Sequence, residues 1–289
     1  MRPPFGARLA AAMAAHGPLC VGIDPHPSLL AAWGLPDTAA GLGHFTATVI
    51  EALTGRVAAV KPQAAFYERH GAAGMGVLEE AVERCRRAGL VCIIDAKRGD
   101  IGSTMAGYAQ AYLTEGGPFA ADALTISPYL GVGSLEETVR IAQDNARGVF
   151  LLALTSNPEG RQVQHARSGG ETVAAAVARF AAARNDGAHP LGDVGLVVGA
   201  TVGDAVTQTD IDLPALNGPI LAPGLGAQGA RVEDLAATFG PALAQVLVNS
   251  SRDILRTGPD PQAISAAAEE LSTRLGSTLP TAPDTGVWG

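Results

Sequence analysis

Short apolar runs recur along the chain, each followed by turn residues and then a longer stretch with helical spacing. Eight are legible: Leu19–Asp24, Val57–Lys61, Leu90–Asp95, Ala123–Ser127, Val149–Leu154, Gly195–Gly199, Pro219–Ala222 and Gln245–Val248. Most are apolar along their whole length instead of alternating, the pattern of strands covered on both faces. Between them, Gly74–Ala88, Ser103–Glu115, Glu171–Asn185 and Pro261–Leu275 have helical character. Eight strand–helix units in series predict an α/β fold, a single closed (β/α)8 TIM barrel, with an N-terminal helix ahead of the first strand. A doubly wound open sheet would carry a Gly-rich turn directly after its first strand. Here that strand runs into Asp24-Pro25-His26-Pro27, which is no phosphate fingerprint. No internal repeat or linker interrupts the series. The barrel is expected over residues 1–277, with a loose Pro/Gly/Thr-rich C-terminal tail at 278–289.

Composition narrows this picture. Of 289 residues, 47% are hydrophobic and 17% charged, which suits a globular domain. Only 4% are aromatic, so the helices must pack through Ala, Val and Leu. The net charge of −8 and the lack of a basic face argue against a nucleic-acid partner, but a few placed donors suffice for one phosphate. Cys20, Cys85 and Cys92 form no disulfide framework and read as small core residues. No stretch reaches 18 unbroken apolar residues, so no membrane span is expected. The segment Met1–His16 lacks the apolar core of a signal peptide, and the cytoplasm is the expected location.

Chemistry in such barrels sits at the C-terminal strand ends. The first run ends in Asp24, the second in Lys61, and the third in Asp95, followed by Ala96, Lys97, Arg98, Gly99 and Asp100. A single terminal charge is common; three consecutive strands ending in charges of alternating sign are not. In extended chain Asp95 and Lys97 point the same way, into the barrel mouth. With Lys61 from the neighbouring strand and Asp100 from the following turn they predict a Lys–Asp–Lys–Asp cluster. Buried charges must be paired, so a purely structural network is the bland alternative, and Asp100 could be an ordinary helix cap.

Further along, Pro223-Gly224-Leu225-Gly226-Ala227-Gln228-Gly229 follows the seventh run. Its glycines let backbone approach an anion, and the loops after strands seven and eight are the usual phosphate position in this fold. The eighth run leads into Asn249-Ser250-Ser251-Arg252, and Arg252 can grip phosphate bidentately. After Thr155-Ser156-Asn157-Pro158, the aperiodic stretch Glu159–Gly170 is a candidate lid or an ordinary surface loop. His26, His70 and His165 are not spaced as metal ligands. The charges from Glu79 to Arg87 read as a solvated helix face, and Trp33 and Trp288 as packing or loop residues.

Asp95-Ala-Lys97-Arg-Gly-Asp100-Ile-Gly-Ser-Thr104 resembles the Asp-x-Lys-x-x-Asp signature of orotidine 5′-phosphate decarboxylases. Gly22-Ile-Asp24, Val60-Lys61-Pro62-Gln63, Thr155–Pro158, Pro223–Gly229 and Arg252 resemble other motifs of that family in order and spacing, nearest to its longer bacterial branch. The Glu159–Gly170 loop departs in length and composition from shorter members.

The resemblance implies conversion of orotidine 5′-monophosphate to UMP and CO2, with no cofactor and no metal. It implies that Lys97 gives a proton to C6 of the pyrimidine and that Asp95 faces the substrate carboxylate. Lys61 and Asp24 would hold the ribose hydroxyls and the charge network. Ser156 would read the pyrimidine amide, and Gly226, Gln228 and Arg252 the phosphate. Asp100 and Thr104 would reach the site of a second subunit in a homodimer. Two alternatives stand beside this reading. A related barrel could use Mg²⁺ on a sugar phosphate, but it would need an acid where Lys61 stands, since a divalent metal wants hard oxygen ligands. A non-catalytic nucleotide-binding barrel would have little need of Asp95, Lys97 and Asp100 together.

Overall fold

The computed structural model describes residues 2–226 and 229–279. Eight parallel strands close into a barrel in chain order: β1 Leu19–Ile23, β2 Ala59–Pro62, β3 Val91–Arg98, β4 Ala123–Ile126, β5 Gly148–Leu154, β6 Val194–Val198, β7 Ile220–Pro223 and β8 Val246–Ser250. Every residue of β1, β2, β4, β6 and β8 is buried, as continuous apolar runs require. The strand ends moved modestly from expectation. Strand β2 begins at Ala59, not Val57, and β8 runs on to Ser250, so Asn249 and Ser250 are ladder residues, not turn residues.

Alternate residues of each strand face inward. Cys20, Ala59, Val91, Ile93, Ala123, Phe150, Val197, Leu221 and Leu247 fill the barrel interior, while their neighbours pack outward against helices such as Ala39–Leu53 and Gly71–Ala88. The helix Phe5–His16 does more than precede the first strand: its Phe5, Leu9 and Met13 join this interior cluster and close one end of the barrel. The Phe5 and Phe150 rings meet edge to face, with centroids 5.9 Å apart. Gly148 makes this possible, because a Cβ there would lie 2.1 Å from the Phe5 ring. Asp122, at the edge of β4, ties the helix down: its carboxylate accepts from Arg2, Arg8 and the Cys92 backbone N–H.

The parity of these strands places the chemistry. Two residues beyond the inward Ala59, Ile93 and Ala123 stand Lys61, Asp95 and Thr125, so a polar layer caps the apolar one at the C-terminal end. The stretch 159–170 is more ordered than an aperiodic sequence suggests. It holds a short helix, Arg161–Gln164, and a two-residue antiparallel ribbon pairing Arg167–Ser168 with Glu171–Thr172. Thr172 then caps the helix Val173–Arg184 by accepting from Ala175 N–H, so that helix begins two residues later than its periodicity suggests. Trp33 is buried, its indole N–H donating to the Leu255 carbonyl. Helix Pro261–Thr278 runs one residue into the segment read as a tail, and Leu279 is buried; positions 280–289, with Trp288, lie outside the described residues.

Candidate active site

Lys61, Asp95 and Lys97 form a continuous ion chain at the barrel mouth. Lys61 Nζ donates to Asp95 Oδ2 at 2.8 Å, and Lys97 Nζ donates to Asp95 Oδ1 at 2.6 Å. Lys61 is 4% exposed and Asp95 8%, whereas the Lys97 side chain is 46% exposed. The chain therefore starts inside the protein and ends with an ammonium presented to the mouth. Gln63 supports it by donating to the Asp95 carbonyl at 3.1 Å.

The sequence expectation of extended backbone at Lys97 fails. Its φ is +49°, in the left-handed region, and the β3–β4 register shifts between Ile94 and Arg98. A non-glycine residue there costs of order 1–3 kcal/mol and persists only where its surroundings fix it. The bulge brings the Lys97 ammonium back onto the carboxylate of a residue two positions earlier. It also sends Arg98 away from the mouth, to Glu68 and the Tyr112 hydroxyl.

Electrostatics keep Lys61 and Asp95 charged. Burial opposes the Lys61 charge, but the Asp95 and Asp24 carboxylates outweigh it and hold its pKa above the ordinary lysine value. Burial likewise opposes the Asp95 charge, but Lys61 and Lys97, by charge and hydrogen bond, hold it well below the usual carboxylate range. The three groups act as a unit, one carboxylate between two ammoniums. Burial pushes the Cys20 thiol beneath them up to about 12, which leaves it neutral packing.

Asp24 is half-buried at the end of β1, and its Oδ1 is buried without a hydrogen-bond partner among the described residues. An orphaned carboxylate oxygen beside a charged site suits a ligand that brings its own donors.

The fourth member of the expected cluster does not join within one chain. Asp100 lies beyond the end of β3, and among the described residues its carboxylate accepts only from the Ile101 N–H, at 2.8 Å. Thr104 is exposed on the first turn of the helix Gly102–Leu113. Asp100 is half-buried, and among the described residues neither side chain is bonded to Lys97.

The turn after β5 is tied by side chains. Gln164 accepts from Thr155 N–H at 3.0 Å and donates to Thr155 Oγ1 at 2.7 Å, and Thr155 donates to Asn157 at 2.7 Å. Ser156 sits exposed between Thr155 and Asn157. A cleft of about 710 Å³ opens beside this turn, with Lys97 and Ser127 at one edge and Leu152, Ala153, Val173 and Val177 among its apolar walls. Only Lys97 of the ion chain lines it, so this cleft flanks the charged centre and is not centred on it.

After β7 the backbone turns on Gly224, Gly226 and Gly229, with φ of +114°, +73° and +98°. Gly226 is also required for space, because a Cβ there would fall on the Asp253 carboxylate. Gln228 lies outside the described residues. Arg252 opens the short helix after β8, is exposed, and has no ion-pair partner among the described residues. Thr125, Gln63 and Asn249, whose amide donates to the Cys20 carbonyl at 3.0 Å, were missed as mouth residues. Parity signals them: each is an inward position two or four residues beyond a core one, carrying a polar side chain. Among the described residues no three His, Cys, Asp or Glu side chains are gathered to hold a metal ion.

Comparison with known proteins adds the following. Residues 17–268 match the model of the orotidine 5′-phosphate decarboxylase / HUMPS family. An orotidine 5′-phosphate decarboxylase of Streptomyces coelicolor is 55% identical over 94% of this chain and 97% of its own length. One of Salinispora arenicola is 57% identical over 92% and 95%. A crystal structure from Streptomyces avermitilis superposes with a TM-score of 0.92 at 54% identity, covering 96% of each chain. The Leishmania donovani OMP decarboxylase structure superposes with a TM-score of 0.74 at 31% identity, covering 95% of this chain and 98% of that one.

Proposed function

Because the chain belongs to the orotidine 5′-phosphate decarboxylase / HUMPS family, we propose that it is a carboxy-lyase converting orotidine 5′-monophosphate to UMP and CO2, with Lys97 as its proton donor. The observation that carries the reading is the Lys61–Asp95–Lys97 ion chain, ending in a half-exposed ammonium. Breaking the bond from C6 to the carboxylate leaves an electron pair in the ring plane, where the π system cannot take it. A fixed ammonium beside C6 stabilises that pair without reorganising. Lys97 Nζ then gives its proton to C6, completing UMP, and regains one from solvent. Asp95 accepts from Lys97 and so holds the ammonium in place, and on this reading it repels the substrate carboxylate.

The remaining roles are those that the family resemblance implies. The Asp24 oxygen, without a partner among the described residues, accepts from ribose hydroxyls, with Lys61 beside it. Ser156 reads the pyrimidine amide. The glycine turn, with Gln228, and Arg252, which has no ion-pair partner among the described residues, hold the phosphate. Phosphate binding energy, remote from the chemistry, helps to assemble the site. Arg252→Ala is expected to lower kcat/KM on orotidine 5′-monophosphate by roughly 2–4 kcal/mol, about 30- to 900-fold. The same substitution should leave turnover of the phosphate-free nucleoside almost unchanged. A loss below about 0.5 kcal/mol on the nucleotide removes Arg252 from the site.

The Mg²⁺-dependent alternative is disfavoured by the state of Asp95, whose two carboxylate oxygens are already committed to two ammoniums and the Thr125 hydroxyl. A hard cation would have to displace them.

A cytoplasmic homodimer completes the proposal. Among the described residues Asp100 and Thr104 make no bond to their own Lys97, and three of the large exposed apolar side chains lie beside Asp100 or on the neighbouring loop: Ile101 at 62%, Tyr129 at 74% and Leu130 at 52%. The two loops that carry them are in contact, since a Cβ on Gly99 would lie 2.6 Å from the Ser127 carbonyl. In a two-fold dimer such a patch covers itself and can carry Asp100 to the partner's site. Mixing tests this together with the catalytic roles. Lys97→Ala and Asp100→Ala proteins, each nearly inactive, should on subunit exchange regain about a quarter of wild-type activity. Half the dimers are then mixed, and each mixed dimer has one intact site. No recovery, with exchange verified, contradicts a shared site.

A further inference from the structure

We infer that Thr125 is a positioning residue for the decarboxylation, setting both the Lys97 backbone and the Asp95 carboxylate; the inference rests on the reading of the site above. Thr125 lies on β4 and is fully buried. Its hydroxyl oxygen is 3.0 Å from Lys97 N and 2.8 Å from Asp95 Oδ1. The direction of both bonds is forced. A backbone N–H can only donate and an ionised carboxylate can only accept, so the hydroxyl accepts from Lys97 and gives its one proton to Asp95. A single hydroxyl therefore links the two residues that the reaction needs in register.

The link has two consequences. Lys97 occupies the left-handed region at φ +49°, within the stretch where the β3–β4 register shifts. Strain of that kind needs an anchor outside the strand, and the Thr125 hydroxyl takes the Lys97 N–H that the displaced ladder leaves over. At the same time the hydroxyl and Lys97 Nζ share Asp95 Oδ1, which leaves Oδ2 to Lys61. The orientation of the carboxylate, and with it the place of the ammonium, is fixed from the buried side. Thr125 touches no reacting atom on this reading. It acts through Lys97 and Asp95.

Two pairs of variants isolate the hydroxyl. Thr125→Val keeps the shape and removes both hydrogen bonds. Thr125→Ser and Thr125→Ala both lack the methyl group and differ by the hydroxyl alone. Turnover of orotidine 5′-monophosphate should fall ~10- to 100-fold in kcat for Thr125→Val, with KM within about threefold, because misplacing a reacting group costs the transition state more than the ground state. Thr125→Ser should stay within about threefold of wild type, and the Ser/Ala ratio in kcat should repeat the Thr/Val ratio. If Thr125→Val does not fold, the Ser/Ala ratio carries the test. Amide hydrogen exchange at Lys97, which needs no activity, should speed up in the variants without a hydroxyl. Wild-type kcat in folded Thr125→Val or Thr125→Ala, with unaltered Lys97 exchange, overturns the inference alone. A wild-type protein that leaves orotidine 5′-monophosphate untouched overturns the reading of the site, and the inference with it.

Discussion

Lys97→Ala should lower kcat on the order of 10⁵-fold while the protein stays folded. Two effects disappear together. A positioned proton donor is worth about 10²–10⁴, and a preorganised charge beside a developing anion about 10²–10³. Their product corresponds to roughly 7 kcal/mol of barrier. Folding should survive, because the Lys97 side chain is 46% exposed and the buried Lys61–Asp95 bond remains in place. The lost Lys97–Asp95 bond lies at the half-exposed end of the ion chain, so thermal stability should change little. A fall in kcat below about tenfold would mean that the proton and the charge come from elsewhere.

Asp95→Asn should cost both stability and rate. Asp95 neutralises two lysines at the mouth, and breaking a buried pair by removing one partner costs about 3–5 kcal/mol. The pH dependence follows from the direction of its shift. Its folded pKa lies below the ordinary 3.8, so its contribution is fully present above about that pH and is lost as pH falls through the lower folded value. Lys61 has the opposite sign: its raised folded pKa keeps the pair intact up to its ordinary 10.5 and beyond. The stability difference between wild type and Asp95→Asn in urea should therefore be flat from about pH 5 to pH 9 and shrink below pH 3.8. A difference that closes near neutrality would contradict this charge assignment. In kinetics, a joint fall in kcat and KM would support repulsion of the substrate carboxylate by Asp95. A raised KM at unchanged kcat would count against that form of ground-state destabilisation.

The barrel and much of its mouth were legible in the sequence because strand burial and strand parity are local rules. Continuous apolar runs gave eight buried strands, and charges ending the second and third runs gave Lys61 and Asp95, each two residues beyond an inward-facing core residue. The local rules stop at Lys97. Nothing in Asp-Ala-Lys-Arg announces a left-handed lysine, because the bulge is enforced by β4, a neighbour 28 residues away in the chain. Thr125 was hidden for the same reason: inside Ala123–Ser127 it looks like one polar residue in an apolar run, and its worth lies across the strand gap. The N-terminal helix was legible as a helix, but its role as a plug was not, since Phe5 meets Phe150 only after the barrel has closed. Asp100 was legible as part of a motif, yet within one chain it does not reach the ion chain that the motif suggested.

On the proposed reading, fixed charges of the protein alone remove CO2 from orotidine 5′-monophosphate. The most direct test is to mix purified protein with that nucleotide in excess EDTA and follow the ultraviolet change that accompanies conversion to UMP, with Lys97→Ala alongside. Fast conversion that EDTA does not alter and that the variant lacks is the expected result. No conversion by folded wild-type protein, or conversion abolished by EDTA, would contradict the account.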